Sequence, residues 1–286
     1  MTTAALTVLD RHAALRDPEG TRAQILSEEG GLLLINKPYA DTSFYVVNKL
    51  RKAASHATGI KRLKCGHAGT LDPLATGLLI LATRRKTKEL AHLVGLEKTY
   101  VLRMRFGVTS PSFDLEQPIE VMGGEESLTE ETVSHAVAAL VGAHDQLPPV
   151  FSAIKQKGKP VYLKARAGQE VTLTSREIIV HEAELLACAL PEIAVRVRVS
   201  KGTYIRSLVR DLAATLGTGG LLIDLEREGI AEYRSADAFT VREAVDLLTD
   251  ASAPSSETAG PTLAEAIQRA ASQHERAHHT PQERHA

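Results

Sequence analysis

The chain has 286 residues, 43% of them hydrophobic and 24% charged, with a formal net charge of -1, which is too apolar for a disordered polymer and enough for one large core or two modest ones. No run approaches the length of an apolar membrane span, and the opening MTTAALTVLDRHAALRDPEG carries acids and no leader-like apolar region, so a cytoplasmic protein is expected. Two cysteines, Cys65 and Cys188, without paired spacing exclude a disulfide framework and a cysteine-based zinc cluster.

Residues 1–28 read as an N-terminal extension, 29–250 as the main domain, and 251–286 as a linker, a short helix and a disordered tail. In chain order, Gly31 to Ile35 is a first strand. A helix then starts near Thr42 or Ser43, with Val46, Val47, Leu50 and Ala54 on one face. The apolar run from Gly77 to Ala82 is an interior strand, Thr83 to Lys88 opens a second helix, and 97–106 is a further strand. An acidic stretch from 112 to 135 contains a helix over Leu128 to Val141. The two prolines of QLPPVFSAIK (146–155) forbid helix and central strand there. Strands are expected around 171–190 and at 193–199, where Val195, Val197 and Val199 face a core and Arg196 and Arg198 form a cationic face. A helix with Ile205, Leu208, Leu212 and Leu216 at helical spacing follows. Two strand-like runs, 221–225 and 229–234, and a helix near 240–249 close the compact region. Strands interrupted by helices without a regular βαβ rhythm indicate an α+β protein on a mixed or largely antiparallel sheet.

The small net charge conceals segregation. Lys37 to Ser110 holds 14 Lys/Arg against 4 Asp/Glu, Phe106 to Ile154 holds 8 acids and no Lys or Arg, and Leu222 onward holds 12 acids against 6 bases. A basic segment this lopsided fits a polyanionic partner, nucleic acid above all. Inside it lies CGHAGTLDPLATGLLILAT (65–83), in which one carboxylate, Asp72, sits among glycines and small residues just before the interior strand. An acid at the lip of a core either caps a turn or reacts.

GHAGTLDPLATGLL (66–79) and SKGTYIRSLVRDL (200–212) together resemble the TruB family of bacterial tRNA pseudouridine synthases. The resemblance extends to LLINKP (33–38), EKTY (97–100), GVTSPSFD (107–114) and QLPPVFSAIKQKGKPVY (146–162), in the family's order, over roughly residues 31 to 235. It implies the pseudouridine-synthase α+β fold, a central mixed, largely antiparallel sheet flanked by helices, with 29–250 as the catalytic domain. It also implies isomerisation of one uridine, position 55 in the T-loop of tRNA, to pseudouridine by a monomer, with no cofactor and no metal.

Cleaving a glycosidic bond requires stabilising a cationic sugar or attacking it, and an ionised carboxylate does both. By the resemblance Asp72 is the catalytic aspartate, either attacking the sugar or abstracting a proton from it, and Arg206 is the guanidinium paired with it. A uracil must be flipped out to be reached, and its face needs an aromatic ring. Tyr100 and Tyr204 stand at the family's base-contacting positions, Leu225 resembles the apolar wall of the uracil pocket, and His67 resembles the histidine that fills the vacated stack. Lys37 supports either the site or the RNA backbone, with a plain surface lysine as the alternative. Lys61, Arg62, Lys64, Arg84, Arg85, Lys88, Arg196 and Arg198 are expected to grip phosphates rather than read sequence.

The chain departs from the family pattern in YADTSF (39–44), where Asp41 puts an acid near the expected RNA face, and in LERE (225–228), where Glu226 replaces an expected cation. The residues after Asp237 are too few and too linker-like for the small C-terminal RNA-binding domain of many members, so the catalytic domain is expected to grip tRNA alone. A silent tRNA-folding chaperone would not need an anion facing a polyanion. A glycoside hydrolase would need a second carboxylate or a metal. A guide-RNA-dependent synthase is the nearest relative to separate.

Overall fold

The computed structural model describes residues 8–151, 155–156, 159–160, 173–250 and 261–268. The expected linker over 251–260, the tail beyond 268 and the middle of the 146–162 block lie outside them. Strand β1 (Val8–Leu9), α1 (Arg11–Arg16) and α2 (Pro18–Leu26) precede β2 (Leu32–Lys37), α3 (Ser43–Thr58), β3 (Cys65–His67) and β4 (Thr76–Thr83). A 3-10 turn over Arg84–Lys88 and α4 (Leu90–Gly95) lead to β5 (Lys98–Phe106), β6 (Val108–Thr109) and β7 (Glu120–Val121). Then come α5 (Glu130–Ala138), β8 (Gly142–Gln146), β9 (Lys155–Gln156), β10 (Lys159–Pro160), β11 (Arg176–Ala189), β12 (Glu192–Val199), α6 (Ile205–Thr215) and β13 (Gly220–Ile230). β14 (Tyr233–Arg234), β15 (Phe239–Thr240) and α7 (Val241–Asp250) follow, with a last helical turn over 263–268. No described helix is long and apolar enough to cross a membrane.

The chain divides into two compact units, residues 1–100 with 225–260 and residues 101–224 with 261–286. The first is built on a mixed sheet. β2 pairs antiparallel with β4, which pairs antiparallel with β3 and parallel with β13, while β1 and β15 run parallel to β2. β2 and β4 read as near-continuous apolar runs because both faces are covered. Leu33, Ile35, Leu79 and Leu81 meet Val46, Val47 and Leu50 of α3 and Leu247 and Leu248 of α7 on one face. Leu32, Leu34, Leu78 and Ile80 pack on the other with Leu93 and Ile230. Thr42 caps α3 by accepting from the Tyr45 N–H at 3.0 Å, and the helix starts at Ser43, within the expected place. The N-terminal segment joins this unit: Ala14 and Ile25 are fully buried, and Arg11 donates to Glu243 at 2.9 Å.

The second unit is antiparallel where its strands are long. β11 pairs with β12 on one side and β8 on the other, and β6 with β7 in a short ribbon. Val195, Val197 and Val199 are buried as their alternation requires. The expectation of a cationic face needs correction. Arg196 donates to Glu184 at 2.9 Å and Arg198 to Glu182 at 2.5 Å, because register sets Glu184 opposite Arg196 and Glu182 opposite Arg198. Cross-strand pairing with acids of β11 offsets the charge of those two arginines.

Candidate active site

Asp72 lies half-buried on the loop of residues 68–75 between β3 and β4. The loop is a fixed object because each segment of it is tied to the unit's frame. At its start the Ala68 N–H donates to the Ile80 carbonyl at 2.9 Å, and after Asp72 the Ala75 N–H donates to the Asp72 carbonyl at 3.1 Å. Pro73 sits at the second place of that turn, where its fixed φ is pre-set. Ser43, 2% exposed, holds Leu71 from both sides: its Oγ donates to the Leu71 carbonyl at 3.1 Å and accepts from the Leu71 N–H at 2.9 Å.

Lys37 is fully buried at the end of β2, and its ammonium donates to three carbonyls, of Pro38 at 2.9 Å, Asp41 at 2.6 Å and Pro73 at 3.1 Å. One cation thus joins the chain after β2 to the residue following Asp72. Burial pushes the Lys37 pKa down to about 8, Asp41 and Asp72 hold it up, and Arg227 adds to the depression. At neutral pH it is an ammonium, as three acceptors require. The buried position excludes the plain surface reading and suits support of the loop.

Arg227 gives no sign of its role in the sequence. It is 1% exposed, with Nε donating to the Leu78 carbonyl at 2.7 Å and Nη2 to the Gly69 carbonyl at 3.1 Å. Gly77 makes this approach possible. Its φ is +98°, and a Cβ there would lie 2.4 Å from the Arg227 carbonyl oxygen, so only glycine lets β4 and β13 pair as they do. The one available signal is the alternation of LERE beside an otherwise apolar strand, but a lone arginine in a strand does not announce its carbonyl partners. The Glu226 departure resolves differently from expectation: its side chain is buried and accepts from Ser235 Oγ at 2.9 Å, so this acid belongs to the interior. Asp41 is half-buried, and its carbonyl serves Lys37. Ala40 stands at φ 66°, a left-handed position that favours glycine.

Of the other expected residues in this unit, His67 ends β3 at the mouth of the loop. Burial lowers its pKa, with the Gly69 backbone opposing and Arg227 reinforcing, so the imidazole is neutral near pH 7. Tyr100 on β5 is 8% exposed and Leu225 on β13 is 7% exposed. Arg62, Lys64, Arg84, Arg85 and Lys88 line one concave surface, partly offset where Arg85 meets Glu29 at 2.6 Å.

In the second unit Tyr204 and Arg206 occupy the start of α6. Gln146 fixes the Tyr204 backbone, accepting from its N–H at 2.8 Å and donating to its carbonyl at 3.1 Å, and the Arg176 guanidinium lies 4.5 Å from the Tyr204 ring centroid. Arg206 is buried, donating to the carbonyls of Ser112 at 3.2 Å and Phe151 at 3.0 Å, with Nε 3.5 Å from the Asp114 carboxylate. Asp114 is itself held by Ser112 Oγ at 2.6 Å and the Glu116 N–H at 3.0 Å. It ends the GVTSPSFD motif, yet its partnership with Arg206 cannot be read from a separation of 92 positions in the chain.

The chain as a whole is similar to known proteins. Residues 56–205 match the family model described as TruB family pseudouridylate synthase, N-terminal domain. The tRNA pseudouridine synthase B of Parabacteroides distasonis is 46% identical over 219 residues, covering 77% of this chain and 93% of that protein. That of Chlorobaculum tepidum is 43% identical over 231 residues, covering 80% and 95%. Among solved structures, a Cbf5-Nop10-Gar1 complex contains a chain matched with a TM-score of 0.58 at 24% identity, over 86% of this chain and 60% of that one. That similarity is one of fold.

Proposed function

Because the chain belongs to the TruB family of pseudouridylate synthases, we infer that it converts a uridine of tRNA to pseudouridine, as the names of its curated relatives state for them. The finer reading is uridine 55 of the T-loop as target, with a cytoplasmic monomer as the working form. The C1′–N1 bond breaks, the uracil turns while held, C5 bonds to C1′, and the proton released from C5 is balanced by one gained at N1. Every atom and electron stays in substrate and solvent, so no redox partner is called for.

Asp72 is the catalytic residue in this reading, acting at the ribose. Arg206, Tyr100, Tyr204, Leu225 and His67 are the substrate-binding set that the resemblance implies, and Lys37 supports the loop. The observation that carries the proposal is the anchoring of the Asp72 loop by Ser43, Lys37 and Arg227, since a carboxylate fixed in advance stabilises developing positive charge without reorganising. The test uses an unmodified tRNA transcript with pseudouridine mapped by carbodiimide primer extension. Wild type should give a stop in the T-loop, and Asp72→Asn should give none while binding tRNA within several-fold of wild type. A wild-type protein that binds the transcript and leaves no stop overturns the enzymatic reading in favour of a tRNA-folding chaperone.

A further inference from the structure

The chain has no Trp, 6 Tyr and 5 Phe, and among the described residues the exposed rings all lie in one short stretch: Tyr39 is 54% exposed, Phe44 67% and Tyr45 45%. A protein this poor in aromatics has cores elsewhere in which to bury them. Three rings left in solvent within seven residues therefore ask for a partner. The stretch is the connection that Lys37 ties to Pro73, so it shares a frame with the Asp72 loop.

From Tyr45 the surface continues as a stripe along α3. Lys49, Lys52 and His56 follow at helical intervals of four, three and four residues, all exposed, covering about 16 Å at the helical rise. The Lys49 ammonium lies 4.9 Å from the Tyr45 ring centroid. Lys49, Lys52 and His56 form one wall of a groove whose other side is α7, with Arg242 on the rim and Ala53 and Val245 on the floor. Asp41 is the one acid among the lining residues, and Asp246 lies 3.6 Å from Arg242. The groove is apolar along its floor while Lys49, Lys52 and Arg242 carry its charge at the edge, so a fitting occupant brings flat apolar faces together with anions. A single-stranded nucleic acid offers what the surface lacks: unstacked bases for the rings and phosphates for the cations.

We propose that Tyr39, Phe44 and Tyr45, with the Lys49–Lys52–His56 stripe and Arg242, form a second RNA contact of the first unit that receives an unpaired segment of the tRNA substrate outside the catalytic loop. The rings stack on bases and the cations take the adjoining phosphates. This rests on tRNA being the substrate.

The absence of Trp supplies a probe. Phe44→Trp introduces one indole at the most exposed of the three positions, and its emission should be quenched on titration with unmodified tRNA transcript, saturating with the affinity measured by filter binding. In parallel, Phe44→Ala combined with Tyr45→Ala should weaken tRNA binding about thirtyfold or more with an unchanged slope of log affinity against log salt. Lys49→Ala combined with Lys52→Ala should reduce that slope by about two. Thermal melting checks that all variants are folded. Indole emission indifferent to bound tRNA, or aromatic variants that bind tRNA like wild type, would overturn the proposal and leave the surface to a protein partner. Pseudouridine mapping on the wild type keeps the two readings apart. Product formed by wild type together with normal binding by the variants removes this contact only; quenching and weakened binding without product retain it while removing the enzymatic assignment.

Discussion

Lys37 shows how one buried group can move stability and activity in opposite directions. Its pKa is lowered from 10.5 to about 8, chiefly by burial. The folded chain therefore gives up this proton before the unfolded chain does. Between pH 8 and 10.5 the unfolded state binds more protons, so the stability that this residue contributes rises with pH across that window and its cost is fullest below it. A neutral amine has only two hydrogens for three carbonyls, so its hold on Pro73 weakens as it titrates. The turnover rate should accordingly fall through about pH 8, and Lys37→Met should be slower at pH 7 and lack that alkaline limb in its pH–rate profile. Ser43 makes a simpler case. Ser43→Ala strands the N–H and C=O of Leu71 in a buried site, which should cost about 2 kcal/mol in urea unfolding. It should lower the single-turnover rate with tRNA affinity retained, because the binding surface is untouched.

At the scale of elements, much of the fold was legible because its signals are local. The cap and apolar face of α3, the buried run of β4 and the alternation of β12 depend on neighbours in sequence. What could not be read was pairing. The acids that neutralise Arg196 and Arg198 lie on another strand. Of the two expected strand-like runs, 221–225 and the start of 229–234 belong to one strand, β13, because Glu226 and Arg227 interrupt the apolar pattern while remaining in the ladder, and 233–234 is β14, which pairs back on it. The candidate residues divide in the same way: the sequence motifs single out Asp72, Tyr204 and Arg206 as candidates, whereas Ser43 and Arg227, which anchor the Asp72 loop, are recognised only by the carbonyls and N–H groups they reach. Arg227→Met removes hydrogen bonds to Leu78 and Gly69 from a charged donor and should cost about 3 kcal/mol in urea unfolding. Arg227→Lys, with a single donor head in place of a fork, should recover only a fraction of it.

For the molecule as a whole, the net charge of -1 predicts nothing about its partner, while the 14 bases against 4 acids between Lys37 and Ser110 predict a strongly salt-dependent grip. If about six phosphates are neutralised, tRNA affinity should drop about 10³-fold between roughly 50 and 200 mM salt, measurable by filter binding across a salt series. Arg198→Ala should leave that dependence nearly unchanged, since Glu182 already answers its charge. The first unit closes on itself from two distant stretches of the chain: residues 1–100 are completed by 225–260, and the arginine that pins Gly69 stands 158 positions downstream. On the ribosome, the segment carrying Asp72 therefore emerges long before its anchor. A nascent polypeptide can bury the apolar strands around that aspartate and tie its loop through Lys37 and Ser43, but the hold on Gly69 waits for the arginine downstream.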